Sequence, residues 1–117
     1  MADEFDAQKA FLTWAESAAV LQTDASQGIA RAQRLLAMRY LRGRGVPKDE
    51  GIAFYWMHLA AQRHFAMAQR SLGELYENGL GIALNLTLAS AWYCLAALQG
   101  DSTAKEHLQR LAQPNPA

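Results

Sequence analysis

An internal repeat of 36 residues is the feature of this sequence that most constrains its fold. When the chain is shifted by that length, alanine, aromatic and glycine residues fall on residues of the same kind. The clearest matches are Leu36 with Leu72, Tyr40 with Tyr76, Trp56 with Trp92, and Gly43 and Gly45 with Gly79 and Gly81. Coincidences of tryptophan, tyrosine and paired glycine are rare, so we expect a repeat architecture.

Each repeated unit has the pattern of a helical hairpin. Ala32, Leu36 and Tyr40 are four residues apart, which places them on one face of a helix. The paired glycines follow, where glycine supplies the left-handed backbone that ends a helix, and Pro47 cannot continue it. Asp49 is then suited to cap a second helix. Such a hairpin cannot bury its apolar face alone, so the units must stack.

The repeated residues resemble the Sel-1-like repeat, a relative of the tetratricopeptide repeats. The resemblance rests on Leu72-Gly73-x-x-Tyr76, Gly79-x-Gly81-Ile82, Ala89-x-x-Trp92, and Ala96-Ala97. The first unit follows the family pattern nearly throughout its hairpin, residues 43–49. The second unit departs from it, because Leu84 stands where lysine is usual. Asn85 or Thr87 can still cap the next helix.

The resemblance implies an all-α fold, an αα-hairpin solenoid with a right-handed superhelix. We expect a single domain with two full repeats between flanking helices. Its predicted parts are an N-terminal capping helix and loop over 3–28, repeats at 29–64 and 65–100, and a C-terminal capping helix over 101–113. Phe11, Trp14, Ala18 and Ala19 look like the second helix of an earlier unit, followed by an enlarged loop at residues 22–27.

The composition favours a soluble, cytoplasmic protein. Of the 117 residues 51% are hydrophobic, which is enough for a core. The net charge is zero, which argues against binding nucleic acid or anionic membranes by bulk charge. Cys94 is the single cysteine, which favours a reducing compartment. The first residues are acidic and do not resemble a signal peptide, and no apolar stretch is long enough to span a membrane.

No set of residues suggests catalysis, a metal or a cofactor. His58, His64 and His107 lack the further ligands that a zinc site needs, and His64 has the position of a turn residue. Cys94 lies in an apolar helix and is expected to be buried and inert. The glycine pairs and the three tryptophans are interpreted as turns and core. We therefore expect no enzyme activity and no cofactor.

The first helix of each unit lines the concave side in such arrays, so we expect a protein partner there. Basic and methionine side chains dominate this face in the first unit, and the second unit is mixed. The candidate partner-binding residues are Arg31, Arg34, Met38 and Arg42, with Met67, Arg70, Glu74 and Glu77. Arginine suits carboxylates and methionine adapts to varied apolar shapes, so an acidic or amphipathic segment is predicted.

A second candidate surface is an apolar cluster at the hairpin of the second unit. Leu80, Leu84 and Leu86 replace Arg44, Lys48 and Glu50 of the first unit. Exposed apolar clusters often mark an interface, so these leucines suggest a partner patch or a homodimer. The alternative is that the C-terminal helix, residues 102–112, covers them.

Two other functions stay open at this stage. A small ligand-binding or hydrolytic protein would use the groove for a pocket with converging histidine and carboxylate groups. A helical repeat that binds RNA would use the basic segment 31–48. The zero net charge and the commitment of aromatic residues to the core count against RNA, so no nucleic-acid partner is expected.

Overall fold

The computed structural model describes residues 7–114, with side chains from residue 13 onward. This part of the chain contains six α-helices and no strand. They are α1 (Ala7–Ser26), α2 (Ala30–Arg42), α3 (Glu50–Gln62), α4 (Ala66–Asn78), α5 (Leu86–Leu98) and α6 (Ser102–Ala112). Each helix packs against the next, and α2 also touches α4. The predicted all-α hairpin repeat is confirmed.

Local sequence signals explain where the helices begin and end. Gly43 and Gly79 end α2 and α4 in the left-handed conformation, with φ of 68° and 65°. The side chains of Asp49 and Asn85 cap α3 and α5 by accepting from the backbone amide three residues on, at 2.9 and 3.0 Å. In the second unit the cap is therefore Asn85 and not Thr87, and the lost Pro-Lys-Asp sequence leaves the hairpin intact.

The core consists of large side chains that fill the space between small ones. Leu36 and Leu72 are fully buried, and each contributes roughly 1.5–3 kcal/mol by burial. Alanines surround them and let neighbouring helices approach closely; the buried ones include Ala37, Ala53, Ala60, Ala61, Ala68, Ala89 and Ala96. Trp56 and Trp92 are partly buried and pack against this core, as expected from their repeat positions.

Two glycines join the successive units. A Cβ atom at Gly45 would overlap the carbonyl oxygen of Trp14, and one at Gly81 would overlap that of Glu50. The hairpin of each unit thus rests on the helix that precedes that unit, at equivalent repeat positions. Trp14 and Glu50 are 36 residues apart, so α1 continues the repeat register backwards without an insertion.

The enlarged loop predicted at residues 22–27 is wrong. Helix α1 continues to Ser26, and the turn that follows resembles the one between α5 and α6. The amide of Ile29 donates to the oxygen of Asp24 at 3.2 Å, as the amide of Asp101 does to Ala96 at 3.1 Å. Matching Trp14 to Trp56 suggested an insertion that the register does not need. Residues 3–6 of the predicted N-terminal segment and the side chain of Phe11 lie outside the described part.

Candidate functional site

A cleft of about 330 Å³ lies between α2 and α4. Two smaller hollows adjoin this cleft and share lining residues with it. One of about 130 Å³ shares Met38 and Arg42, and one of about 320 Å³ shares Arg34. We call these three depressions the groove. The cleft is lined by Arg34, Met38, Leu41, Arg42, Met57, Arg70, Ser71, Glu74, Leu75, Asn78 and Leu80.

Arg34 is the half-buried cation of this cleft. Its Nε donates to Ser71 Oγ at 3.1 Å. No carboxylate lies within ion-pair distance of its guanidinium in the described residues. Burial lowers the pKa of Arg34 first, and the nearby positive charge of Arg70 lowers it further. The negative charges of Glu74 and Asp101 partly oppose this lowering of the pKa.

Arg70 occupies the same position in the second unit and is neutralised within the chain. It forms ion pairs with Glu74 at 3.3 Å and with Asp101 at 3.2 Å. Glu74 and Asp101 correspond, 36 residues earlier in the sequence, to Met38 and Phe65. Arg34 therefore has Ser71 as a hydrogen-bond partner but no ion pair, because apolar residues stand at the positions of the two acids that pair with Arg70.

Trp14 lies at the edge of the groove, which corrects its assignment to the core. Its side chain is 39% exposed, and the guanidinium groups of Arg39 and Arg44 lie 4.4 and 5.4 Å from its ring centroid. Arg39 also donates to Ser17 Oγ at 2.6 Å. Burial and the neighbouring charge of Arg44 lower the pKa of Arg39. Trp14 differs from the other tryptophans because it occupies the repeat position of Glu50.

Most of the residues predicted from the sequence line the groove. Arg34, Met38, Arg42, Arg70 and Glu74 line the central cleft, and Arg31 and Met67 line the hollow beside Arg34. Sequence reasoning missed the apolar floor of the cleft and the cations near Trp14. The missed residues are Leu41, Met57, Leu75, Trp14, Arg39 and Arg44. Aligning α1 in the 36-residue register would have placed Trp14 beside this surface.

Glu77 lies in a different environment from the rest of the predicted set. Its carboxylate accepts a hydrogen bond from Tyr93 Oη at 2.7 Å and forms an ion pair with Arg110 at 2.6 Å. The hydrogen bond from Arg110 is the main reason why the pKa of Glu77 is lowered. Burial and the carboxylate raise the pKa of Tyr93. These three side chains connect α4, α5 and α6, which gives Glu77 a structural role.

The leucines of the second hairpin divide into two groups. Leu80 is half-buried, packs against the core and lines the cleft, whereas Leu84 and Leu86 are 61% and 50% exposed. Helix α6 packs on α5 through Leu108 and Leu111 and leaves Leu84 and Leu86 uncovered. The C-terminal helix therefore does not cover the cluster, and the homodimer stays a prediction.

Two expectations about reactive side chains have different outcomes. Cys94 is exposed, which corrects the prediction of burial. The buried stripe of α5 runs through Ala89, Tyr93 and Ala96, and position 94 lies off this stripe. His64 adopts a left-handed backbone with φ of 62°, which confirms its role in the turn.

Within residues 7–114, no three His, Cys, Asp or Glu side chains gather as a metal site would require. No described helix is long and apolar enough to cross a membrane.

Comparisons with known proteins agree with the repeat architecture. The Sel1 repeat family matches residues 30–65 and 66–101. The crystal structure of a Sel1 repeat protein from Oxalobacter formigenes is 46% identical, with a TM-score of 0.75 over 77% of this chain and 68% of that one. The structure of c5321, a protective antigen of uropathogenic Escherichia coli strains with an SLR fold, is 31% identical. Its TM-score is 0.79 over 80% of this chain and 20% of that one.

A search of the curated proteins found no match. The family resemblance and the fold predicted from the sequence are confirmed by the matched repeats and by both structures. Sel1 repeats are generally scaffolds for protein interaction. This chain belongs to the Sel1 repeat family.

Proposed function

We propose that this chain is a protein-interaction scaffold that binds an acidic or amphipathic segment in the groove and is not an enzyme. The observation that carries the proposal is the contrast between two equivalent arginines. Arg70 is paired with Glu74 and Asp101, whereas Arg34 lines the same cleft and forms no ion pair with any described residue. A partner carboxylate would supply what the first unit lacks.

The charge of the groove supports an acidic partner. Its lining includes six arginines and a single carboxylate, Glu74, which is already paired with Arg70. The arginines are Arg31, Arg34, Arg39, Arg42, Arg44 and Arg70. Guanidinium groups bind carboxylates with two parallel hydrogen bonds, and a surface of one sign attracts the opposite charge from a distance. Specificity for an acidic segment follows although the net charge of the chain is zero.

The floor of the cleft supports an amphipathic partner. Met38, Leu41, Met57, Leu75 and Leu80 provide the apolar part of the lining. Methionine side chains are flexible and polarizable, so they adapt to apolar groups of different shape. An apolar side chain next to an acidic one would therefore fill the floor while its neighbour reaches Arg34.

Affinity purification followed by mass spectrometry tests the proposal. The wild type is compared with a charge-reversed variant, Arg34→Glu with Arg42→Glu, and with Lys105→Glu, an exposed cation on α6 outside the groove. We expect a stoichiometric partner that is retained by the wild type and Lys105→Glu and lost by the double variant. Retention of the same partner by all three proteins would contradict the proposal.

A single substitution can rebuild the paired state of the second unit in the first. Met38→Glu places a carboxylate four residues after Arg34, as Glu74 follows Arg70. Such a pair stabilises a helix by about 0.2–0.5 kcal/mol, so the variant should fold normally. We expect it to weaken partner binding by about tenfold or more, because it neutralises Arg34. The control is Met38→Gln, which has the same shape without the charge and should bind more tightly than Met38→Glu.

We also propose a cytoplasmic location. The support is the cysteine content, since the single thiol, Cys94, cannot form a disulfide within the chain. Modification of Cys94 by a membrane-impermeant maleimide only after cell lysis would agree with this location. Labelling of intact cells would contradict it.

A further inference from the structure

A second cleft of about 300 Å³ lies where α1, α2 and α3 meet. It shares no lining residue with the groove. Its lining combines polar and aromatic side chains with the turn after α1. The lining residues are Ala25, Ser26, Gln27, Gly28, Gln33, Tyr55, Trp56, Leu59 and Arg63. We call this depression the α1–α3 cleft.

Gln33 brings an unsatisfied acceptor to this cleft. Its side chain is buried, with 3% of the residue exposed, and its amide nitrogen donates to the oxygen of Ala25 at 3.1 Å. Its Oε1 accepts no hydrogen bond from the described residues. In the second unit, Gln69 has the same burial, but its Oε1 accepts from Gln99 Nε2 at 2.9 Å. Buried acceptors are rarely left unpaired because the loss of hydration is costly.

Arg63 stands where the second unit has Gln99. Its guanidinium lies against Gly28, and a Cβ atom there would overlap the terminal nitrogen of Arg63. Gly28 therefore makes room for the guanidinium, whereas the residue 36 positions later, which lies beside Gln99 in the same register, is His64. Arg63 has no ion pair within the described part of the chain. A free cation is thus held at the edge of the cleft that contains the unpaired acceptor.

Aromatic side chains form the apolar wall of the α1–α3 cleft. Tyr55 is 57% exposed, and its ring lies 5.3 Å from that of Trp56 in an edge-to-face arrangement. Leu59 extends this wall. The second unit has Ala91 in place of Tyr55. The exposed ring, the cation and the unpaired acceptor therefore occur together in the first unit alone.

We propose that the α1–α3 cleft binds the C-terminus of a peptide whose last side chain is apolar. The terminal carboxylate accepts hydrogen bonds from the Arg63 guanidinium, a charge-assisted contact. Binding turns the buried Gln33 amide toward the cleft, so that the last backbone N–H donates to its Oε1 and supplies the missing donor. The apolar side chain packs on Tyr55 and Trp56. At a chain terminus the carboxylate and an amide N–H are attached to the same Cα atom, so one residue can offer an acceptor to Arg63 and a donor to Gln33.

An NMR titration with N-acetyl-Ala-Ala-Phe tests this proposal. We expect the peptide with a free carboxylate to shift the side-chain amide signals of Gln33 and the indole signal of Trp56. The signals of Gln69 and Trp92 serve as an internal reference and should stay unchanged. The same peptide with a C-terminal carboxamide should have an affinity at least about tenfold lower, because it loses the charge-assisted hydrogen bonds. Equal binding of the two peptides, or no shift at Gln33, would overturn the proposal.

Arg63→Gln is the decisive variant because it recreates the arrangement of the second unit. The new glutamine can donate to Gln33 as Gln99 does to Gln69, so the protein should be as stable as the wild type or more stable. We expect at least about a tenfold loss of peptide affinity. The control is Arg42→Gln in the groove, which should leave this affinity unchanged. Wild-type affinity in Arg63→Gln would refute the site whatever the groove binds.

Discussion

In the second repeat, Arg70 lies between Glu74 and Asp101, and Gln69 accepts a hydrogen bond from Gln99. In the first repeat, Arg34 and Gln33 hold the same positions without these partners. The two repeats share their backbone fold and most of their core, so the difference lies in how these buried and half-buried polar groups are paired. The polar side chains Gln69 and Arg70 of the second repeat are paired within the chain, whereas Gln33 Oε1 accepts no hydrogen bond and Arg34 forms no ion pair with a described residue.

The two repeats also differ at the contact between their first and second helices. Glu77 and Tyr93 form a hydrogen bond in the second repeat, and Arg110 of α6 completes the junction. The corresponding residues of the first repeat are Leu41 and Met57, which line the floor of the groove. A polar junction thus attaches α6 to the second repeat, and apolar residues at the same place in the first repeat line the cleft.

The largest effect is expected at the glycines that join the units. Gly79 and Gly81 both have positive φ. A Cβ atom at Gly79 would lie 3.4 Å from Leu84, an ordinary contact distance, whereas one at Gly81 would overlap a backbone carbonyl of α3. We expect Gly79→Ala to cost about 1–2 kcal/mol and Gly81→Ala about 3 kcal/mol or more. Urea unfolding measures both. Equal losses would show that backbone strain alone matters and that the contact between units does not.

A smaller effect is expected at Gly73, the counterpart of Ala37. A Cβ there would lie 2.6 Å from ring carbons of the buried Tyr93, where the first repeat has Met57. Gly73→Ala gains about 1 kcal/mol in helix propensity and loses about 1–3 kcal/mol by overpacking. We expect a net loss of about 1 kcal/mol in thermal or urea unfolding.

The same substitution should change sign in a Tyr93→Met background. That variant recreates the alanine and methionine pair of the first repeat, so the new Cβ no longer meets a rigid ring. A double-mutant cycle measures the coupling between the two positions. A loss of stability in both backgrounds would show that the tyrosine ring is not what excludes alanine at Gly73.

Glu77→Gln tests the polar junction through pH. Arg110 lowers the pKa of Glu77 in the folded state. The ionised Glu77 therefore contributes its full stabilisation of the fold above the pKa of the unfolded state, about 4.3. This contribution disappears as the pH falls through the lower pKa of the folded state. We expect the variant to be about 1 kcal/mol less stable at pH 7, a modest value because Arg110 is half exposed. The difference should shrink in acid. Glu106→Gln, on the exposed side of α6, is the control for loss of a carboxylate that forms no ion pair among the described residues.

The smallest effect on stability is expected at the exposed leucines of the second hairpin. Leu84→Lys with Leu86→Glu gives this hairpin the residues of the first repeat and should change the stability by less than about 0.5 kcal/mol. If the chain forms a homodimer through this cluster, sedimentation will show a dimer for the wild type and a monomer for the variant. A wild type that is monomeric at high concentration would exclude this interface.

The sequence by itself determined the repeat length, the helical hairpins and their caps. These features depend on spacing along the chain and on local backbone preferences, as the glycines after α2 and α4 and the capping Asp49 illustrate. It also placed five of the predicted residues around the central cleft, because a repeat presents equivalent positions on the same face.

Only the tertiary structure decided which polar groups are paired. Arg70 and Asp101 are 31 residues apart and Glu77 and Arg110 are 33 apart, so no local pattern connects them. The same holds for Arg39, which contacts Trp14 from a different helix. These pairings depend on how helices from neighbouring units meet, and they distinguish Arg70, which is neutralised within the fold, from Arg34, which forms no ion pair with a described residue.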